Sequence, residues 1–443
     1  MKHFKRTLTA GLILLLTLSS GLTARAEEEY SEAALERQAV TIESNANALW
    51  PEGPVISASS AILMDADTGV ILYAKDIHRQ MYPASTTKLM TTLLAYENCD
   101  PDEYVTVSSA AIASVPSDGS RMGITAGEKL TVAECIYATM VQSANEIAYA
   151  LGEHVAGSEA AFTEMMNLRA QELGCLNTNF ENASGLNNDD HLTTAYDLAL
   201  IGRAYFSHDF LAQAASTSSY KIAALEGVHE AYSLNTKNLL YAGKTYAYEG
   251  LVGSKTGYLS VAGQTLVSCA ERDGMRLICV VLFEDNPYQY IDTVTLFDYG
   301  FENFSYLNIS DSVRASFASM DAFLLSDDEK LLVPNGIGFK DLSKEMVSSP
   351  FGGSVTIHYT YNETPVGTFT VTQNPEYFPE DAAAQPTYVN VLYLALLLLG
   401  FAIVLIILTW ITSSFRQISF DRSGNGRKKR RRFSSSDFDN YKF

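Results

Sequence analysis

The chain has 443 residues, 47% of them hydrophobic, and a net charge of −20. A sequence this apolar and rich in aromatics is not disordered, and a surface this acidic repels nucleic acid and other polyanions. The charge is uneven: residues 1–26 carry +4 and residues 412–443 hold nine basic against three acidic residues, which leaves −30 for the segment between.

The N-terminus reads as a secretory signal peptide, residues 1–26. Lys2, Lys5 and Arg6 precede an uncharged stretch from Leu8 to Leu22, and Ala24-Arg25-Ala26 supplies small residues around a cleavage point. A retained anchor is the alternative, disfavoured by the short apolar core. Residues 27–53 form an acidic, Ala-rich leader that the composition predicts to be loosely held. "SAILMDADTGVILYAK" then predicts a strand–turn–strand about Asp65 to Gly69.

Helical spacing dominates from Ser85 to about Phe206, as in Leu89, Leu93 and Leu94, with Gly174 stopping one helix. From Gly250 the period changes. "GSKTGYLSVAG", "QTLVSCAE" and "MRLICVVLF" predict three consecutive strands, the last two joined by an Asp-Gly hairpin turn. "IDTVTLFDYGFENF" predicts a closing helix. The fold class is therefore α+β, an antiparallel sheet flanked by helices over residues 54–304. Alternating Val355, Ile357, Tyr359 and Tyr361 predict a small all-β domain over residues 305–374.

A Pro- and acid-rich linker, residues 375–387, leads to a charge-free stretch from Tyr388 to Ile411. Its 24 residues reach roughly 36 Å as a helix, enough for a hydrocarbon core of ~30 Å. Arg427 to Arg432 follow, and the positive-inside rule places that basic tail, residues 412–443, in the cytoplasm. The expectation is a single-pass cell-membrane protein with its bulk outside the cell.

Cys99, Cys135, Cys175, Cys269 and Cys279 are odd in number, scattered and set in apolar surroundings. They match neither a disulfide framework nor a CxxC metal site, so buried thiols are the default, with a Cys269–Cys279 bridge across a hairpin as the alternative. No metal or cofactor is expected.

Three short motifs carry chemistry. In "PASTTKLM", Ser85 and Lys88 share one helix face near its start, where a lysine of depressed pKa can take the hydroxyl's proton. "VQSANEIAYAL" adds Ser143 and Asn145, a second hydroxyl and an amide. "GSKTGY" adds Lys255 and Thr256 on a strand, with Gly253 and Gly257 permitting close backbone approach. A strand edge beside Ser85 would donate an N–H to an oxyanion. Each motif alone has an ordinary structural meaning: an N-cap and a solvated lysine, a polar loop, a hairpin tripeptide. Ser218 and Lys221 repeat the first spacing by chance. The order and spacing of all three, 58 and then 112 residues apart, is far more specific.

On those motifs, and on the segments "AILMDADTGVILYAKDIHRQMYPASTTKLMT", "SRMGITAGEKLTV" and "TNFENASGLNNDDHLTTAYDLA", the chain resembles the D-alanyl-D-alanine carboxypeptidases. These are penicillin-binding serine peptidases of the β-lactamase/transpeptidase-like fold. The resemblance covers roughly Ser57 to Phe304 and extends to about Thr372. It implies that Ser85 is acylated, Lys88 is the base and Ser143 relays protons. It also implies that Asn145, Lys255, Thr256 and Gly257 bind substrate, that His191 is structural, and that peptidoglycan stem peptides and β-lactam antibiotics are the ligands. Departures are Leu259 and Glu146 in place of the usual Thr and Asp, and a complete membrane span. An arginine implied just after the last core strand is also missing: no Lys or Arg occurs from Leu277 to Val313, and Gln289 aligns there.

The competing readings are a serine β-lactamase, a transpeptidase or endopeptidase, and a non-catalytic wall-binding protein. The first needs a deacylating glutamate, and Glu181 in "ENASGLN" has the wrong spacing for it.

Overall fold

The computed structural model describes residues 30–308, 323–325, 329–349 and 353–373. The expected signal peptide, membrane span and basic tail lie outside them, and among the described residues no helix is long and apolar enough to cross a membrane. Nearly all described residues belong to one compact unit ending at Thr372, while Phe323, Leu324 and Gln373 fall in a second.

A helix α1 (Glu32–Gln38) precedes the hairpin β1 (Ser60–Asp65) and β2 (Ile71–Lys75). A 3₁₀ turn, Ala84–Thr87, runs directly into α2 (Lys88–Asn98). Then come β3 (Tyr104–Thr106), α3 (Ser109–Ala113), β4 (Lys129–Thr131), α4 (Val132–Val141), α5 (Asn145–Ala156) and α6 (Glu159–Glu172). Next are α7 (Ala195–Phe206), α8 (Asp209–Ser216), β5 (Ser219–Ile222) and β6 (Tyr232–Asn235). The strands β7 (Leu251–Leu259), β8 (Gly263–Arg272) and β9 (Met275–Glu284) lead into α9 (Tyr288–Asn303).

The central sheet is antiparallel, in the order β2-β1-β9-β8-β7, so the first hairpin pairs with the last strand and β7 lies at an edge. Both faces are covered. Ile278 and Val267 meet Gly202 of α7, while Leu63, Leu72 and Leu277 meet Gly300 of α9. Burial on both sides explains why β1 and β9 read as continuous apolar runs and do not alternate. The β8–β9 turn is the expected Asp273-Gly274, both at positive φ.

Two sequence expectations change, while the default for the cysteines holds at the hairpin: Cys269 and Cys279 are buried free thiols. In the β8–β9 register Ser268 faces Cys279 and Cys269 faces Ile278, so the two side chains point to opposite faces of the sheet and cannot bridge. The stretch Gly253–Gly263 is not one strand: β7 ends at Leu259, the chain turns, and β8 begins at Gly263. The leader is pinned where it was expected to be loose. Arg37 donates to Ser57 O, Glu284 and Asp285, and the buried Lys75 donates to Arg37 O and Ile56 O.

Beyond α9, β10 (Phe304–Asn308) and the short β11 (Phe323–Leu325) precede β12 (Lys330–Pro334), which pairs with β10. A meander follows of β13 (Ser343–Ser348), β14 (Ser354–Tyr361) and β15 (Thr364–Gln373). Its apolar side gathers Phe339, Tyr359 and Phe369.

Candidate active site

Ser85 stands on the 3₁₀ turn that opens α2. The residue before it, Ala84, has φ +50, a left-handed conformation rarely taken by a residue with a Cβ. Neighbouring groups hold it there. Thr86 and Thr265 both donate to Pro83 O, at 2.8 and 3.0 Å, and Gly185 packs so closely that a Cβ on it would lie 1.8 Å from Ala84 O. From the other side comes edge strand β7, where a Cβ on Gly257 would lie 2.8 Å from Ser85 N.

Lys88, the first residue of α2, is fully buried. Its Nζ lies 2.9 Å from Ser85 Oγ, 2.6 Å from Asn145 Oδ1 and 2.6 Å from Ser184 O. Burial pushes this amine well below its ordinary pKa, nearby Lys255 adds to the shift, and Glu146 opposes it. The contacts decide what a neutral Lys88 would do. Two partners are carbonyl oxygens, which only accept, so they take both remaining N–H groups. The lone pair is then left facing the Ser85 hydroxyl.

Ser143 occupies the bend between α4 and α5 at φ +57, which turns its hydroxyl into the cleft. Lys255 Nζ donates to Ser143 Oγ at 3.1 Å and to Thr256 O at 2.7 Å. Burial lowers Lys255 to about 7. Ser85, Ser143, Asn145, Lys255, Thr256 and Gly257 all line one cleft of about 1040 Å³. Two buried amines, two hydroxyls and an amide around a strand edge suit acyl transfer at a peptide carbonyl.

Other residues sort by geometry. Ser184, third partner of Lys88, has no place in the three motifs. Its loop is organised by Asn182, whose Oδ1 accepts from the amides of Ser184, Gly185 and Leu186 and from Ser184 Oγ. The Asn-Ala-Ser-Gly composition was the available turn signal. His191 is buried, with Nε2 2.9 Å from Thr87 Oγ1 and Nδ1 accepting from Glu181 N. Burial, with a smaller effect of Lys88, holds it near about 4, so it stays neutral. Glu146 is buried, and its Oε1 accepts from Met122 N and Gly123 N. Glu181 is exposed and bonded by Asn179 Nδ2. Among the described residues no carboxylate is hydrogen-bonded to Ser85 or Lys88. Gln289 lies in the cleft wall, where its Nε2 donates to Gln264 Oε1 and Asn286 Oδ1 at 3.3 Å. Ser218 and Lys221 are exposed and outside the cleft.

Residues 47–286 match the family model described as D-alanyl-D-alanine carboxypeptidase. The chain is 31% identical over 312 residues to the D-alanyl-D-alanine carboxypeptidase DacF of Bacillus subtilis, covering 69% of this chain and 72% of that one. It is 35% identical over 250 residues to DacD of Escherichia coli, covering 53% of this chain and 61% of that one. Among solved structures, penicillin binding protein 6B from Escherichia coli superposes with a TM-score of 0.58 at 27% identity, over 73% of this chain and 97% of that one.

Proposed function

Because this chain belongs to the D-alanyl-D-alanine carboxypeptidase family, we propose that it removes the terminal D-alanine from peptidoglycan pentapeptides through an acyl-enzyme on Ser85. The reading rests above all on the buried Lys88 amine, 2.9 Å from Ser85 Oγ, with carbonyl acceptors for both of its remaining protons.

Ser85 Oγ bonds to the penultimate D-alanine carbonyl carbon as its proton passes to Lys88. The oxyanion is met by the Ser85 N–H and the free edge of β7. Collapse breaks the C–N bond, and the proton reaches the leaving amine through Ser143. Water then attacks the ester with Lys88 again as base, freeing Ser85 and the shortened peptide. Asn145 holds a substrate amide, Lys255 and Thr256 take the terminal carboxylate, and Gly257 lets the strand close on the nucleophile. A β-lactam enters by the same attack. Among the described residues no carboxylate bonds Ser85 or Lys88, so hydrolysis of this bulkier ester relies on Lys88 alone and is slow, which makes the protein a target and not a resistance enzyme.

Ser85→Ala should abolish labelling by a fluorescent penicillin and release of D-alanine from a pentapeptide, while Ser218→Ala should affect neither. Labelling that survives in the Ser85 variant overturns the assignment. The localisation proposal is a single span over residues 388–411 with the catalytic unit outside and the tail inside, supported by the charge-free stretch and the basic run after it. Protease added to intact cells should remove everything before Tyr388 and spare the tail; a cleaved tail refutes that orientation.

A further inference from the structure

Away from the cleft, at the far ends of α2 and α5, three side chains of different chemistry converge. Cys99 caps the C-terminus of α2, His154 lies in the last turn of α5, and Glu103 lies between Cys99 and β3. One ligand atom from each lies within 4.8 Å of the other two. We propose that Cys99, Glu103 and His154 form a binding site for a divalent transition-metal ion of the zinc type, with its fourth position left to water.

The donor set selects the class of ion. A thiolate, an imidazole and a carboxylate suit Zn²⁺ and its neighbours, whereas Mg²⁺ and Ca²⁺ require shells of oxygen. Spacing agrees. Two donors each ~2.0 Å from a tetrahedral ion lie roughly 3.3 Å apart, and Glu103 Oε2 and His154 Nε2 are already 3.2 Å apart. With Zn–S ~2.3 Å the sulfur belongs roughly 3.5 Å from the other two donors, so closing the triangle on Sγ takes a shift of at most about 1.3 Å. Outer support is also present: Asp100 N donates to Glu103 Oε1 at 2.8 Å, which orients the carboxylate so that its other oxygen faces the histidine. Both helices present their negative ends here, which favours a cation. Cys99 is also the one cysteine of the five that is not fully buried, so an ion can reach it.

The placement has a consequence for the catalytic unit. Helices α2 and α5 begin at Lys88 and Asn145 and end at this cluster. Over 11 and 12 residues that is roughly 16–18 Å. A bound ion would clasp the far ends of the two helices that present those side chains.

The test uses the purified full-length chain under reducing conditions with Co²⁺ as a spectroscopic substitute. One equivalent should give a thiolate-to-cobalt charge-transfer band and the visible bands of a four-coordinate ion, both displaced by Zn²⁺ but not by Mg²⁺. Cys99→Ser and His154→Ala should lose the bands while keeping penicillin labelling, which shows that they are folded. Saturating Zn²⁺ should also slow alkylation of Cys99 in the unmutated chain by about tenfold or more. Absence of the charge-transfer band, or a band that persists in Cys99→Ser, would mean that Glu103 and His154 form only an ion pair, and the proposal fails. If either variant loses penicillin labelling, the alkylation result on the unmutated chain decides.

Discussion

Replacing Gln289 by arginine tests how the substrate's terminal carboxylate is held. Gln289 sits in the first turn of α9, in the wall of the cleft that also contains Thr256. Its Nε2 makes two long bonds, at 3.3 Å, and among the described residues its buried Oε1 has no hydrogen-bond partner. A neutral amide can offer a carboxylate a hydrogen bond worth about 1 kcal/mol, whereas a guanidinium offers a charge-assisted one worth about 1.5–3 kcal/mol. The difference of about 0.5–2 kcal/mol corresponds to about 2- to 30-fold in kcat/KM. Burying the guanidinium has a cost of its own, but that cost applies to every substrate. The informative quantity is therefore the ratio of kcat/KM for a pentapeptide to that for its C-terminal amide, which Gln289→Arg should raise. If both substrates change equally, the carboxylate is held elsewhere, and the idea that this cleft grips D-Ala-D-Ala termini weakly is wrong.

Gly257→Ala places a Cβ 2.8 Å from Ser85 N and 2.4 Å from Thr265 Oγ1, and should slow penicillin acylation by about 10²-fold or more in stopped-flow assays. Lys255 loses its proton as pH rises through about 7, so kcat/KM for a free-carboxylate peptide should fall across that range while the C-terminal amide changes less. His191 stays neutral down to about 4, whereas in the unfolded chain it takes up a proton below about 6.5. The unfolded state therefore binds more protons between those values, and stability should drop by about 3 kcal/mol as pH falls from about 6.5 to about 4. Urea melts at the two pH values should show this loss, and His191→Gln should remove it.

The central sheet was legible because β1 and β9 lie between two helical layers and must be apolar throughout. The hairpin turn at Asp273-Gly274 was legible because both residues need positive φ. Ser85, Lys88, Ser143, Asn145, Lys255 and Thr256 could be singled out as candidates because each motif is local, and the fold brings them together around one cleft. Other features depend on contacts distant in sequence. Ser184 meets Lys88 through its backbone carbonyl, which no side-chain pattern advertises. The leader looked loose because its fastenings are distant in sequence: Arg37 reaches Glu284, whose carboxyl is pushed up by burial and neighbouring Asp292, and Trp50 Nε1 donates to Leu72 O. The cysteine alternative failed on strand parity, since residues that look close across a hairpin occupy opposite faces.

The strand order also fixes when, in the life of a chain, the enzyme can exist. Strand β1 ends at Asp65, and its second neighbour, β9, begins only at Met275. At about 5–20 residues per second that gap amounts to roughly 10–40 s in a chain that folds while it is made. Through that interval β1 has one open edge, and the apolar face that α9 will cover stays bare, a state prone to faulty association. Ser85 and Lys88 emerge early, but the wall formed by β7 stands at the end of the sheet that is made last. A chain cut short before Lys255 would carry the nucleophile and its base yet have no cleft. The hazard of a slowly closed sheet and the safeguard against premature acylation thus come from the same strand order.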